Sequence, residues 1–159
     1  MVLMINRALA LNKVIMSYVK NWLHCVWGTK NGLPLLRKEI RKEILDHIRS
    51  NAISKGIYID SLNGYSNHIH CLISLNADQS LAQVIQLIKG ESSFWINRNK
   101  LTGCKFEWAV DYFGVSLSES HLSRVRDYIR TQEEHHRNVT WEEEYNKFLK
   151  EYGFSQGQG

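Results

Sequence analysis

The chain has 159 residues, 43% of them hydrophobic and 23% charged, with a formal net charge of +4 and a pI near 9.0. That length suits one domain with its own core, the mix is that of an ordinary soluble globular protein, and no run approaches the roughly 20 apolar residues that a membrane helix needs. The mild basicity permits a polyanionic partner without requiring one.

Cys25, Cys71 and Cys104 are far apart and odd in number, with no Cys-x-x-Cys pair, so neither a zinc ribbon nor a disulfide framework is expected. Buried free thiols in a reducing compartment are the plain expectation. The stretch MVLMINRALALNKVIM is interrupted by Arg7 and Lys13 and lacks the continuous apolar run and small-residue cleavage site of a signal peptide. A cytoplasmic protein is therefore expected.

Residues 17–28, SYVKNWLHCVWG, are rich in β-branched and aromatic types and predict a strand. After the turn signal TKNGLP, Ile40, Ile44, Ile48 and Ala52 form one stripe of a helix over 36–55, which Gly56 closes. IYIDSLN (57–63) and HIHCLISL (68–75) predict two strands joined through GYSN as a hairpin. Leu81, Val84, Ile85, Ile88 and Trp95 predict a helix over 80–99. Gly90 sits inside it at a cost of about 1 kcal/mol relative to alanine, an absence of side chain that would suit a close backbone neighbour.

KFEWAVDYFGVSL (105–117) predicts a fourth strand, irregular around Gly114. Ser118 is a good N-cap for a helix to about Arg137, with Leu122, Val125 and Ile129 as its stripe. A final helix from Thr140 carries Trp141, Tyr145, Phe148 and Tyr152 on one side. The order βαββαβ plus two helices predicts an α+β, ferredoxin-like sandwich with an antiparallel sheet. That fold hosts many unrelated chemistries, so function has to come from a site.

His68 and His70 flank one isoleucine, and in a strand residues i and i+2 point to the same face, ~7 Å apart at Cα. Two such imidazoles can share a metal ion; the alternative is a half-buried strand that happens to carry two polar residues. Tyr128 and Gln132 lie at i and i+4 on one helical face, and His136 continues the line a turn further. A tyrosine beside Val125 and Ile129 can equally be a core residue with a satisfied hydroxyl. Together, two histidines and an amide oxygen would make a three-ligand metal site with open positions. A phenol with a pKa near 10 is only about 0.1% ionised at neutral pH, so it attacks well only where its electrophile is activated.

His68-Ile69-His70 matches the HUH motif (histidine, hydrophobic, histidine), and YIRTQEEHHR resembles the tyrosine helix of the single-tyrosine HUH transposases of the smallest bacterial and archaeal insertion sequences. VWGTKNGLPLL, SLAQVIQLIKGESSFWIN, FEWAVDYFGVSLSESHL and TWEEEYNKFLKEYG agree with that family in place and order, so the resemblance covers roughly residues 17–153. It implies that Tyr128 cleaves single-stranded DNA, forming a covalent 5′-phosphotyrosine and freeing a 3′-hydroxyl. It implies that His68, His70 and Gln132 bind a divalent ion, magnesium or manganese. It further implies a homodimer, commonly with the tyrosine helix of one subunit completing the other's site, that recognises imperfect DNA hairpins at element ends. Imidazole ligands favour manganese over magnesium.

Where the family often has an acidic or small polar residue before the first histidine, this chain has Asn67. Residues 1–15 have no counterpart in the resemblance, which divides the chain into an N-terminal extension (1–15), one transposase domain (16–153) and a tail (154–159). Deleting residues 2–15 is expected to leave DNA cleavage intact, as read on a denaturing gel.

For DNA contacts, Lys30, Lys89, Arg126 and Arg130 are the candidates, set against ordinary solvated charge. Trp95 and Trp108 are expected in the core, His24 as a buried, satisfied histidine, and His136 as a support for the metal ligands or a phosphate contact. Other readings are a domesticated relative that processes host repeat hairpins, a catalytically silent hairpin-binding protein, and a small-ligand regulatory module. The last predicts no affinity for single-stranded DNA and no use for Tyr128.

Overall fold

The computed structural model describes residues 18–154. Four strands, β1 (Trp22–Gly28), β2 (Tyr58–Gly64), β3 (His68–Ser74) and β4 (Phe113–Leu117), form one sheet in the order β2-β3-β1-β4 with every pairing antiparallel. Helices α1 (Lys38–Ser54) and α2 (Leu81–Arg98) make the two crossovers, as the ferredoxin-like reading expects. After β4 come α3 (Leu122–Arg130), the short α4 (Gln132–His135) and α5 (Trp141–Glu151). No described helix is long and apolar enough to cross a membrane. The expected extension 1–15 lies outside the described residues.

Strand alternation splits the sheet into two differently occupied faces. Cys25 and Trp27 of β1 with Ile69, Cys71 and Ile73 of β3 point toward α1 and α2, and with Ile44, Ile48, Val84, Ile85 and Ile88 they form the main core. On the other face Val26, Phe113 and Phe148 form one small cluster, and Leu72, Leu122 and Ile129 another. His24, His68 and His70 share this second face. It is the face that α3 and α5 cover.

Two expected helix starts hold, whereas Ser118 heads only the 3-10 turn Glu119–His121 and makes no side-chain cap, its hydroxyl being taken up by Ser120 and His121. Ser80 caps α2 by accepting from Gln83 N, and Thr140 caps α5 in a reciprocal box with Glu143. Gly90 has nothing within 4 Å of where a side chain would begin, so it serves no close approach. Gly64 is the opposite case. A Cβ there would lie 2.4 Å from the carbonyl oxygen of His68, in the turn that Tyr65 N closes on that same oxygen. Gly64→Ala is therefore expected to destabilise the protein by roughly 1–3 kcal/mol, the range of overpacking, read as a lower urea midpoint.

Two predicted elements differ from the structure. The expected strand 105–117 is regular only from Phe113; the earlier part keeps one isolated antiparallel bridge, Trp108 to Thr29, and is otherwise held by side chains. Asn97 bonds both backbone groups of Phe106, and Lys89 Nζ donates to the carbonyls of Val110 and Asp111. The expected continuous helix 118–137 is a 3-10 turn (Glu119–His121), then α3, then α4, broken at Thr131. The break has a cause in β2: Asn63 Nδ2 donates to the carbonyls of Ile129 (2.9 Å) and Arg130 (3.2 Å), which would otherwise continue the helix. Cys25 and Cys71 are buried as expected, whereas Cys104 lies exposed in the loop after α2.

Candidate active site

The sheet register sets His68 opposite Gly28 and His70 opposite Val26. Both imidazoles are fully buried. The Trp141 indole of α5 lies over Gly28 and stacks on the His68 ring at 4.2 Å between centroids. Glu144, one turn further along α5, is only 1% exposed and points at both strand histidines. His136, in the turn after α4, completes the group, its ring stacked on Tyr65.

One ligand atom from each of His68, His70, His136 and Glu144 lies within 4.8 Å of the others. Outer hydrogen bonds assign the imidazole tautomers. His68 Nδ1 donates to Asn67 Oδ1 at 2.9 Å, and His136 Nδ1 donates to the Val139 carbonyl at 2.7 Å. His70 Nδ1 lies 3.0 Å from His24 Nε2, and the tautomer in which His70 donates leaves His70 Nε2 bare. His68 and His136 thus turn an Nε2 lone pair inward, as does His70 in that tautomer, the arrangement that second partners impose on metal-binding histidines. His136 Nε2 stands 2.9 Å from Glu144 Oε2, and His68 Nε2 3.4 Å from the same oxygen, so once Glu144 is ionised acceptors face acceptors. Among the described residues these three Nε2 atoms, Glu144 Oε2 and Gln132 Oε1 have no hydrogen-bond partner. Converging orphaned acceptors in a buried pocket fit a cation.

The local electrostatics agree. Burial pushes His68 down to about 2 and His24 to about 3, with neighbouring histidines adding to both, so the rings stay neutral ligands rather than cations. His70 is held well below its ordinary value, first by burial and then by His136 and His135. Burial raises the Glu144 carboxyl to about 8 against the opposing pull of Lys147. Negative charge there needs a positive partner.

Tyr128 sits at the edge of this group. Its ring meets that of His70 edge to face at 5.5 Å, its hydroxyl donates to Glu144 Oε1, and His135 Nε2 lies 3.4 Å from the hydroxyl. Gln132 is fully buried, its Nε2 donating to the Tyr128 carbonyl at 3.2 Å and its Oε1 left over.

A family profile described as "Transposase IS200 like" matches residues 17–132, well over half of the chain. The chain belongs to the IS200-like transposase family. Within it, the ISDra2 transposase TnpA of Deinococcus radiodurans is 24% identical over 115 residues, which cover 69% of this chain and 81% of that protein. The fold is shared with a crystal structure of a candidate transposase from Deinococcus radiodurans R1. That likeness has a TM-score of 0.58 at 21% identity over 74% of this chain and 95% of the other. It is also shared with a REP-associated tyrosine transposase bound to a REP hairpin, with a TM-score of 0.59 at 16% identity over 78% and 73% of the two chains.

In this IS200-like transposase, Tyr128, His68, His70 and Gln132 meet in one chain, from β3 and from the adjoining α3 and α4 far along the sequence. Asn67 Oδ1 accepts from the His68 ring and holds it. His24 is buried as expected, and its partner is His70 itself. Glu144 was not singled out from the sequence, and His136 faces the centre directly; both lie beyond the stretch that the family profile matches. The candidate DNA cations are dispersed. Lys30 pairs with Glu107, Lys89 is engaged by carbonyls, Arg126 forms a two-pronged pair with Asp60, and Arg130 pairs with Asp127. Arg126 and Arg130 lie on the side of α3 toward β2, whereas Arg124 shares the side of Tyr128.

Proposed function

We propose that this transposase cleaves and rejoins single-stranded DNA at element ends through a covalent 5′-phosphotyrosine on Tyr128, assisted by a divalent metal ion held at the histidine cluster. The observation that carries the reading is the position of the Tyr128 hydroxyl beside buried acceptors that lack any partner but a cation. His68, His70, His136 and Glu144 would hold the ion, with Gln132 Oε1 as a further donor. A bound divalent ion would polarise a phosphodiester oxygen and offset the charge that develops on it.

The chain's own groups supply the rest. Tyr128 Oη forms the new P–O bond as the P–O3′ bond breaks, and the 3′-oxygen leaves to become a hydroxyl. Glu144 Oε1, which already accepts from Tyr128, is the atom placed to take the phenolic proton. Burial of His68 and His70 keeps water from competing with the phenol. Rejoining reverses the bonds, so no external energy is required. A donor set of imidazoles and one carboxylate suits manganese better than magnesium.

The shared fold with a hairpin-bound transposase supports a DNA hairpin as the substrate form. A working unit of residues 16–153, acting in the cytoplasm as a homodimer, accords with the family resemblance. The test is to mix the protein and manganese with single strands from the DNA flanking its gene, then map any adduct by mass spectrometry. A metal-dependent adduct on the peptide containing Tyr128 is expected. Hairpin binding with no adduct from either strand would favour the silent binding protein instead.

A further inference from the structure

Beside the nucleophile, between α3 and α5, lies a cavity of about 410 Å³, within the range of about 300–1,000 Å³ usual for small-molecule sites. Tyr128 and Glu144 stand among its lining residues. Val125, Phe148 and Tyr152 give it apolar and aromatic walls. Arg124 and Lys147 also line it, and among the described residues neither forms an ion pair. Glu151 lies there too, so Arg124, Lys147 and Glu151 together leave one net positive charge. His68 and His70, by contrast, are wholly buried, so a DNA strand that brings a phosphate to Tyr128 has to approach from this side. The α5 half of the cavity lies beyond residue 132, outside the stretch common to the family profile.

We infer that this cavity receives one unpaired nucleotide of the substrate, the one next to the scissile phosphate, with its base against Phe148 and Tyr152 and its outer phosphate near Arg124 and Lys147. The inference rests on the proposed function. Its physical basis is the pairing of apolar or aromatic surface with nearby cations, which is how proteins hold single-stranded nucleotides: base stacking with backbone neutralisation. A duplex cannot supply such a base. The pocket therefore selects a single strand at the nick, and its shape adds a protein contribution to the choice of cleavage site.

The test scans a single abasic residue across the nick in the cleaved oligonucleotide and compares wild type with Val125→Trp, which fills the cavity. Removing the base at one position beside the nick is expected to slow wild-type adduct formation at least tenfold. Val125→Trp is expected to slow the intact substrate by a similar factor, yet to add little on the abasic one. Equal slowing of both substrates by Val125→Trp, or no sensitivity to either adjacent base while wild type forms its adduct normally, would overturn the pocket and leave the tyrosine chemistry standing.

A readout independent of cleavage separates the two further. Saturation-transfer NMR with the four deoxynucleoside 5′-monophosphates and magnesium is expected to show millimolar binding of at least one, weakened tenfold by Val125→Trp and by Arg124→Ala/Lys147→Ala. No binding of any of the four to the wild type would reject the pocket, whatever the adduct assay gives.

Discussion

Replacing Tyr128 with phenylalanine is expected to abolish the covalent protein–DNA product while leaving the fold and hairpin binding in place. Phenylalanine keeps the ring and its edge contacts with His24, His70 and Phe148, so packing changes little. What disappears is the only oxygen the side chain has, and with it the new P–O bond. The loss should be at least about 10³-fold in adduct yield, more than about 4 kcal/mol of barrier. The hydroxyl's donation to Glu144 also goes, at a cost of about 1–3 kcal/mol to the metal-free protein. Denaturing gels report the first effect and thermal unfolding the second. Residual adduct at wild-type yield would move the nucleophile elsewhere.

Glu144→Gln is the second large effect, and it separates a ligand from a merely structural carboxylate. Burial lifts the Glu144 carboxyl from 4.5 to about 8 in the fold. The folded protein therefore keeps a proton that the unfolded chain releases above about 4.5, and this group's contribution to stability falls as pH rises from there to about 8. Glutamine cannot ionise, so the metal-free variant should equal or exceed wild type in stability near pH 8. Manganese has to displace the proton, so its affinity for wild type should rise with pH toward about 8. At an ion concentration a hundred times Kd the wild type gains about 2.7 kcal/mol. That corresponds to about 5–11 °C in Tm for a chain of this size. The variant should lose most of that shift at the same concentration. An unchanged shift would mean that Glu144 is no ligand.

The strand histidines are legible because a period of two fixes their common face, whatever the tertiary structure does. Tyr128 and Gln132 are legible at i and i+4 even though the helix breaks between them, since the break at Thr131 keeps both side chains on the inner side. That break itself has no glycine or proline to announce it; its cause, Asn63, lies on another element. Glu144 is hidden for a different reason. It stands in a run of three glutamates at a helix start, where acidic residues ordinarily complement the helix dipole. The available signal was positional: Glu144 is three residues past Trp141 and four before Phe148, so it falls within the buried stripe. The approach of α5 to the histidines runs through the Trp141 indole on the His68 ring, a contact no local pattern contains.

The two hydrogen bonds from Asn63 have a mechanical consequence. Asn63 pairs directly with His70 across the sheet, so the residue that clamps the end of α3 is also a neighbour of the strand that carries the two histidines. Arg126 and Asp60 tie the same helix to β2 a turn earlier. Tyr128 and the strand histidines are thereby bolted to one frame, and α5 packs onto that frame through Trp141 on His68 and Phe148 against Val26 and Phe113.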